Sequence, residues 1–89
     1  MAQRKQLSQA TVVLTKYKVF NELCLAYRRS KNPVYLRADD VRKELVIAKD
    51  VFADALDSFI KEGQMAVEVV ESNGERYLRL SESARENCD

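Results

Sequence analysis

Few side chains in this 89-residue chain are of the types that carry catalytic or metal chemistry. Histidine, the commonest general base and metal ligand, is absent. The two cysteines, Cys24 and Cys88, are too far apart in the sequence for a zinc site of ordinary spacing. The only two glycines, Gly63 and Gly74, form no phosphate-binding loop. We therefore expect that the chain is not an enzyme and that it holds no metal and no cofactor.

The two cysteines are interpreted from their positions in the chain. Cys24 falls within an apolar helical pattern, which is typical of a buried and inert thiol, and Cys88 is expected to be an exposed free thiol. A Cys24–Cys88 disulfide is the alternative, but a reducing compartment disfavours it. Residues 1–9 are polar and lack the apolar core of a signal peptide. No run approaches the ~18 apolar residues of a transmembrane helix, so we expect a cytoplasmic protein without membrane contact.

Charge is divided unevenly along the chain. Residues 1–37 contain eight Lys and Arg against the single acid Glu22, a net charge of +7. Residues 38–89 contain seven bases against thirteen acids, a net charge of −6. Such a division indicates either an acidic partner for the N-terminal part or two copies that pack basic against acidic surfaces. The alternative is that both surfaces only face water.

Apolar spacing predicts a helix at residues 49–62, and this helix positions several of the charged side chains. Its apolar stripe follows the i, i+4, i+7, i+8 pattern and comprises Phe52, Leu56, Phe59 and Ile60, widened by Val51 and Ala55. Asp50, Asp54 and Asp57 fall outside the stripe, and Gly63 closes the helix. A shorter helix is predicted at residues 38–45, and residues 46–48 are then the turn between the two helices.

A β-hairpin is predicted at residues 67–80. Asn73-Gly74 is the preferred pair for a two-residue type I′ loop. This loop sets Val67 opposite Leu80 on one face of the sheet and Glu68 opposite Arg79 on the other. A slip of one residue would pair apolar with charged positions, so the pattern supports this register.

A long helix is predicted at residues 9–30, with a core-facing stripe that comprises Val13, Tyr17, Phe20, Cys24 and Tyr27. Leu14, Val19 and Leu25 lie outside this stripe. Either the helix is buried on two sides, or its outer face contacts another subunit, as in a homodimer through the first helix. Pro33 ends the helix, and a third strand is expected at residues 34–36.

The predicted domain organisation is simple. Residues 1–9 form a flexible basic arm, residues 10–85 form a single domain, and residues 86–89 fray. A short final helix is expected at residues 81–86, capped by Ser81.

The predicted α+β order α-β-α-α-β-β resembles the winged helix-turn-helix family of the MarR and ArsR type over residues 12–85. Residues 37–65 are similar to its helix-turn-helix, with Gly63-Gln64-Met65 at the exit of the second helix. Residues 77–85 are similar to the strand and turn that end many such domains. The resemblance implies binding of double-stranded DNA, with the central helix in the major groove and the hairpin tip on the backbone. It implies a transcription regulator or an accessory factor.

The resemblance gives a set of candidate DNA-contacting residues: Arg37, Arg42, Lys43, Lys49, Ser58, Lys61, Asn73 and Arg76. Three positions that commonly contact DNA in the family are acidic here, namely Asp50, Asp54 and Asp57. Their charge would oppose the phosphates. The alternative function is therefore a protein–protein interaction module that uses this acidic face without DNA. In a third alternative, the arm and first helix contact nucleic acid through Arg4, Lys5, Lys16, Arg28 and Arg29.

Overall fold

Seven elements follow one another in the computed structural model, which describes residues 9–31 and 34–88. They are α1 (Gln9–Ser30), β1 (Leu36–Arg37), α2 (Ala38–Leu45), α3 (Lys49–Lys61), β2 (Val67–Ser72), β3 (Glu75–Leu80) and a 3-10 helix, η1 (Ser83–Asn87). The strands form an antiparallel sheet in the order β1-β3-β2. The α+β class and the order of elements are confirmed. No helix in these two ranges is long and apolar enough to cross a membrane.

The hairpin has the predicted register. Val67 pairs with Leu80, Glu68 with Arg79, and Ser72 with Glu75 at the loop. Asn73 and Gly74 both have positive φ, 52° and 79°, as a type I′ turn requires. On one face Val67 and Leu80 are buried in the core. On the other face Arg79 Nη2 donates to Glu68 Oε1 at 2.7 Å, which confirms the cross-strand charge pair.

The third strand lies two residues later in the chain than predicted. β1 consists of Leu36 and Arg37, which pair with Leu78 and Tyr77 of β3. A strand was predicted at residues 34–36 because these residue types are β-prone, and the prediction is wrong for Val34 and Tyr35. The start of α2 directly after Arg37 ends β1 on its C-terminal side.

The turn between α2 and α3 closes at Val46. This residue has φ 55° and ψ 57°, in the left-handed region that a β-branched side chain rarely adopts. Its amide donates to the Lys43 carbonyl at 3.2 Å, and the Ile47 amide donates to the Arg42 carbonyl at 3.1 Å. The Val46 side chain is 88% exposed, so it contributes almost nothing to the core.

The central helix α3 begins where predicted and ends at Lys61, one residue early, with Gly63 at φ 80° beyond it. Its buried residues are Phe52, Ala55, Leu56 and Phe59. Ile60 was predicted to belong to the core stripe, and this is wrong because its side chain is exposed. The face of α3 that carries Phe52, Ala55, Leu56 and Phe59 therefore covers the core.

The first helix has the predicted bounds but buries a different face. Its buried residues are Thr15, Val19, Leu23 and Cys24. Val13 and Tyr17, predicted to face the core, are exposed, and Val19, predicted to lie outside the stripe, is fully buried. Apolar residues occur on every side of α1, so their spacing did not identify the buried face.

The C-terminal segment packs against α1 and is joined to it covalently. Cys24 and Cys88 form a disulfide, so the expectation of a buried thiol and an exposed free thiol is wrong. The Ser81 hydroxyl accepts a hydrogen bond from the Ala84 amide at 3.2 Å, which caps the turn that leads into η1. Glu86 and Asn87, predicted to fray, lie in η1. The cytoplasmic location stays a prediction.

Loss of the bridge should destabilise the fold strongly. The bond closes a loop across 64 residues, for which chain entropy gives a stabilisation of about 4 kcal/mol. We expect Cys88→Ser to lower the free energy of unfolding by about 2 to 4 kcal/mol, as measured by guanidinium unfolding and circular dichroism. Dithiothreitol should lower the stability of the wild-type chain to the same level and leave the variant unchanged. A wild-type chain insensitive to dithiothreitol would contradict the bridge.

Candidate nucleic-acid interface

A cleft of about 220 Å³ lies between α2, the first half of α3 and the hairpin. Arg42, Lys49 and Arg76 line it, together with the carboxylates of Asp39 and Glu75. Arg37 reaches the same place because its Nε lies 3.5 Å from Glu75 Oε1. Four separate elements, β1, α2, α3 and β3, thus bring four of the predicted DNA-contacting residues together. No spacing in the sequence revealed this convergence, since the partners are distant along the chain.

One carboxylate organises the cations of α2. Asp39 Oδ1 lies 3.1 Å from Arg42 Nη2, and Asp39 Oδ2 lies 3.2 Å from Lys43 Nζ. Hydrogen bonds from Lys43 and then Arg42 hold the pKa of Asp39 below its ordinary value of 3.8, because they favour the charged form. Arg42 Nη1 also donates to the Ile47 carbonyl at 3.1 Å, which ties α2 to the turn before α3. Arg42 therefore has a structural role in addition to any contact with a ligand.

We define the basic cleft group as five cations and two carboxylates: Arg37, Arg42, Lys43, Lys49 and Arg76, with Asp39 and Glu75. Its net charge is +3. Among the residues that the structure describes, no carboxylate lies within ion-pair distance of Lys49 or Arg76. These two are therefore the cations most available to an anionic ligand. Asn73 is exposed at the tip of the hairpin, beyond the cleft.

Ser58 and Lys61 lie away from the cleft. Lys16 Nζ of α1 donates to Ser58 Oγ at 2.9 Å, forms an ion pair with Glu62, and lies 5.2 Å from the centroid of the Phe59 ring. Ser58 thus links α3 to α1 through Lys16, and its role in contacting DNA stays a prediction. The sequence predicts a role for Lys16 only in the third alternative. The one sign of its contact with α3 is that Lys16 lies beside Thr15, at the border of the buried face of α1.

The outward face of α3 is acidic, as its spacing predicts. Asp50, Asp54 and Asp57 are all exposed. The Asp50 carboxylate accepts a hydrogen bond from the Val51 amide at 2.9 Å. Asp54 and Asp57 form no ion pair within residues 9–31 and 34–88, although Lys61 borders the same shallow depression. The edge of α3 that borders the cleft therefore carries a single cation, Lys49, and its outer face carries the three carboxylates.

The chain has no significant match to a protein-family model, a curated protein or a solved structure. The basic cleft group and the acidic face of α3 therefore carry the functional inference. The arm residues Arg4 and Lys5 of the third alternative lie outside the described residues.

The ion pairs of Asp39 predict an acid-dependent loss of stability. Because its pKa is lowered on folding, the carboxylate stabilises the fold above its unfolded pKa near 3.8 and loses this contribution as the pH falls through the folded value. We expect Asp39→Asn to be less stable than the wild-type chain at pH 7, with a difference that shrinks below the unfolded pKa. Urea midpoints at several pH values measure this. Asp40→Asn is the matched control, and an equal effect in both variants would refute the assignment.

Proposed function

We propose that the chain is a winged helix-turn-helix protein that binds double-stranded DNA, as a transcription regulator or an accessory factor. The order of elements supports this, because α2, a tight turn and α3 are followed by a hairpin that borders the same cleft. In this arrangement α3 is the helix presented to the major groove and the β2–β3 hairpin is the wing. A cytoplasmic location belongs to the same proposal.

The convergence of the basic cleft group is the observation that carries the proposal. Cations from β1, α2, α3 and β3 meet at one place although the acidic half of the chain supplies most of them. Three cations and two carboxylates line the cleft, and Arg37 and Lys43 beside it raise the net charge of the group to +3. This charge attracts a phosphate chain and releases its counterions. Since Lys49 and Arg76 form no ion pair in the described part of the chain, they can bind phosphates without first breaking one.

The acidic face of α3 limits how the duplex is bound. If α3 entered the groove along its outer face, Asp54 and Asp57 would approach the phosphates and weaken binding. Contact along the Lys49 edge of α3 keeps these carboxylates farther away and places the sugar–phosphate backbone over the cleft. Asn73 and the backbone amides of the hairpin tip can then donate to a neighbouring phosphate. We therefore expect binding that is dominated by the DNA backbone and depends steeply on salt.

The first test is a titration of a labelled duplex, followed by fluorescence anisotropy at several salt concentrations. The double variant Lys49→Ala/Arg76→Ala should bind roughly tenfold more weakly at low salt because two phosphate contacts are lost. The slope of log K against log salt should become shallower by about two units, one for each contact. Arg28→Ala/Arg29→Ala, with the same charge change on α1, is the matched control and should bind like the wild-type chain.

Three results of this titration would contradict the proposal. Absence of binding at low salt would refute DNA binding altogether. Equal binding by the wild-type chain and the Lys49/Arg76 variant would remove the cleft from the interface. A loss confined to the Arg28/Arg29 variant would move the contact to the first helix, as in the third alternative.

A second candidate function is favoured by the exposed carboxylates of α3. Asp54 and Asp57 project from one helix face and form no ion pair in the described residues. A basic protein surface would neutralise both groups, and such complementarity selects partners and speeds association. In this function the chain is a protein-interaction module, and α3 binds protein in place of DNA.

Charge reversal separates the two functions. Asp54→Lys/Asp57→Lys should abolish binding of a labelled lysine-rich peptide, the probe for a basic partner, if the acidic face is the interface. The same variant should bind duplex DNA more tightly than the wild-type chain if the cleft contacts phosphates, because two repulsive charges are removed. Asp40→Lys/Glu44→Lys carries the same charge change on α2 and is the control for net charge. Peptide binding unaffected by the α3 reversal would exclude that face.

A further inference from the structure

β2 is a six-residue strand at the edge of the sheet. In the order β1-β3-β2, only β3 pairs with it among the described residues. Because Ser72 and Glu75 flank a two-residue loop, they form a hydrogen-bonded pair, and such pairs alternate along the strand. The main-chain groups of Val69 and Glu71 therefore point away from β3. Main-chain groups at an uncovered edge of this kind can pair with a further strand.

The Gln64 side chain covers one position of this edge. Gln64 Oε1 accepts a hydrogen bond from the Val69 amide at 2.7 Å, which agrees with the outward direction of that amide. The turn after α3 places Gln64 there, since Gly63 and Gln64 both have positive φ, 80° and 56°. The Gln64 amide donates to the Phe59 carbonyl at 3.0 Å, so the turn is fixed to the end of the helix. The edge is thus covered at Val69 by a single side chain.

The groove beside the edge of β2 is apolar at its centre and acidic at both ends. It has a volume of about 570 Å³. The residues of β2 that line it are, in order, Glu68, Val69, Val70 and Glu71. Val70 is exposed although its side chain is apolar. Among the described residues that line the groove, none is a lysine or an arginine.

We propose that this edge binds an extended segment of a partner protein, in which a basic, an apolar, an apolar and a basic residue follow one another. The segment adds a strand to the sheet, and its main chain pairs with Val69 and Glu71. Residues that lie opposite one another share a face of the sheet. The two apolar residues therefore lie opposite Val69 and Val70, and the two cations lie opposite Glu68 and Glu71. Because this pattern reads the same from both ends, it fits either strand direction.

The charges of the groove determine the kind of occupant. Glu71 forms no ion pair in the described residues, and a cation of the segment would give it one. Glu68, which lies 2.7 Å from Arg79, would then have a cation on either side. A second copy of this chain carries the same two carboxylates at its own edge, so pairing of two copies would bring four carboxylates together. The carboxylates also repel phosphates, so the groove favours a basic peptide over nucleic acid.

Binding of a labelled peptide tests this surface. The probe is a fluorescein-labelled peptide with the core Lys-Val-Val-Lys, followed by fluorescence anisotropy. N-methylation of its four central amides keeps both positive charges and should abolish binding, because the main-chain hydrogen bonds are lost. Glu71→Lys should weaken binding about tenfold, since an attractive pair becomes repulsive. Asp40→Lys makes the same charge change at an exposed position of α2 and should bind like the wild-type chain.

The Gln64 side chain gives a prediction of opposite sign. Gln64→Ala removes the acceptor that competes for the Val69 amide, so it should tighten binding of the peptide about fivefold. Amide hydrogen exchange locates the contact, because bound peptide should slow exchange at Glu71 and leave exchange in α2 unchanged. Circular dichroism checks that Glu71→Lys and Gln64→Ala fold like the wild-type chain.

Four results would overturn the proposal. The first is absence of peptide binding by both the wild-type chain and Gln64→Ala. The second is equal binding of the N-methylated peptide, and the third is equal binding by Glu71→Lys. The fourth is slow exchange at Glu71 in the free chain with a mass above 10.2 kDa, because a second copy would then cover the edge. Asp54→Lys/Asp57→Lys should leave this binding unchanged, which separates the edge of β2 from the acidic face of α3. No outcome depends on DNA binding.

Discussion

The register of the β2–β3 hairpin is the constraint on which the rest of the structure depends. β3 is the middle strand, so its pairing positions both neighbours, and its Leu78 and Leu80 supply buried side chains to the core. A slip of one residue would turn these side chains to solvent and bring Tyr77 and Arg79 inward. The left-handed pair Asn73-Gly74 prevents this, because a two-residue loop of this type leaves one register. The same register places Glu75 and Arg76 beside α2 and α3, so the cleft depends on it as well.

The cleft is positively charged although residues 38–89, which supply most of its cations, have a net charge of −6. Asp39 forms ion pairs with both Arg42 and Lys43, so one carboxylate positions two cations and neutralises only one. The turn at Val46 also serves this arrangement, since Arg42 reaches the Ile47 carbonyl only because the chain reverses there. A β-branched residue in the left-handed region costs about 1 to 2 kcal/mol. The hydrogen bonds of the Val46 and Ile47 amides offset part of that strain.

The elements that the sequence predicts correctly are those determined by residues close together in the chain. The hairpin, α2 and the start of α3 were predicted because turn chemistry and short apolar periods act within a few residues. Of the candidate residues, Arg42, Lys49 and Arg76 line one cleft, whereas Ser58 contacts Lys16 of α1. In the sequence, the only argument against the Cys24–Cys88 disulfide is the expected reducing compartment. Only the fold shows that Cys24 and Cys88 are adjacent.

The wrong prediction of the buried face of α1 has a physical cause. A helix with one buried side shows one apolar stripe, and its period then identifies that side. On α1 the core takes Val19 and Leu23, and the C-terminal segment covers Cys24, yet Leu14, Tyr17 and Leu25 add apolar surface beyond both contacts. The apolar period of α1 does not identify the buried face because more than one face of the helix is apolar. The residues that hid the core-facing side are those that stay exposed after folding, namely Leu14, Tyr17 and Leu25.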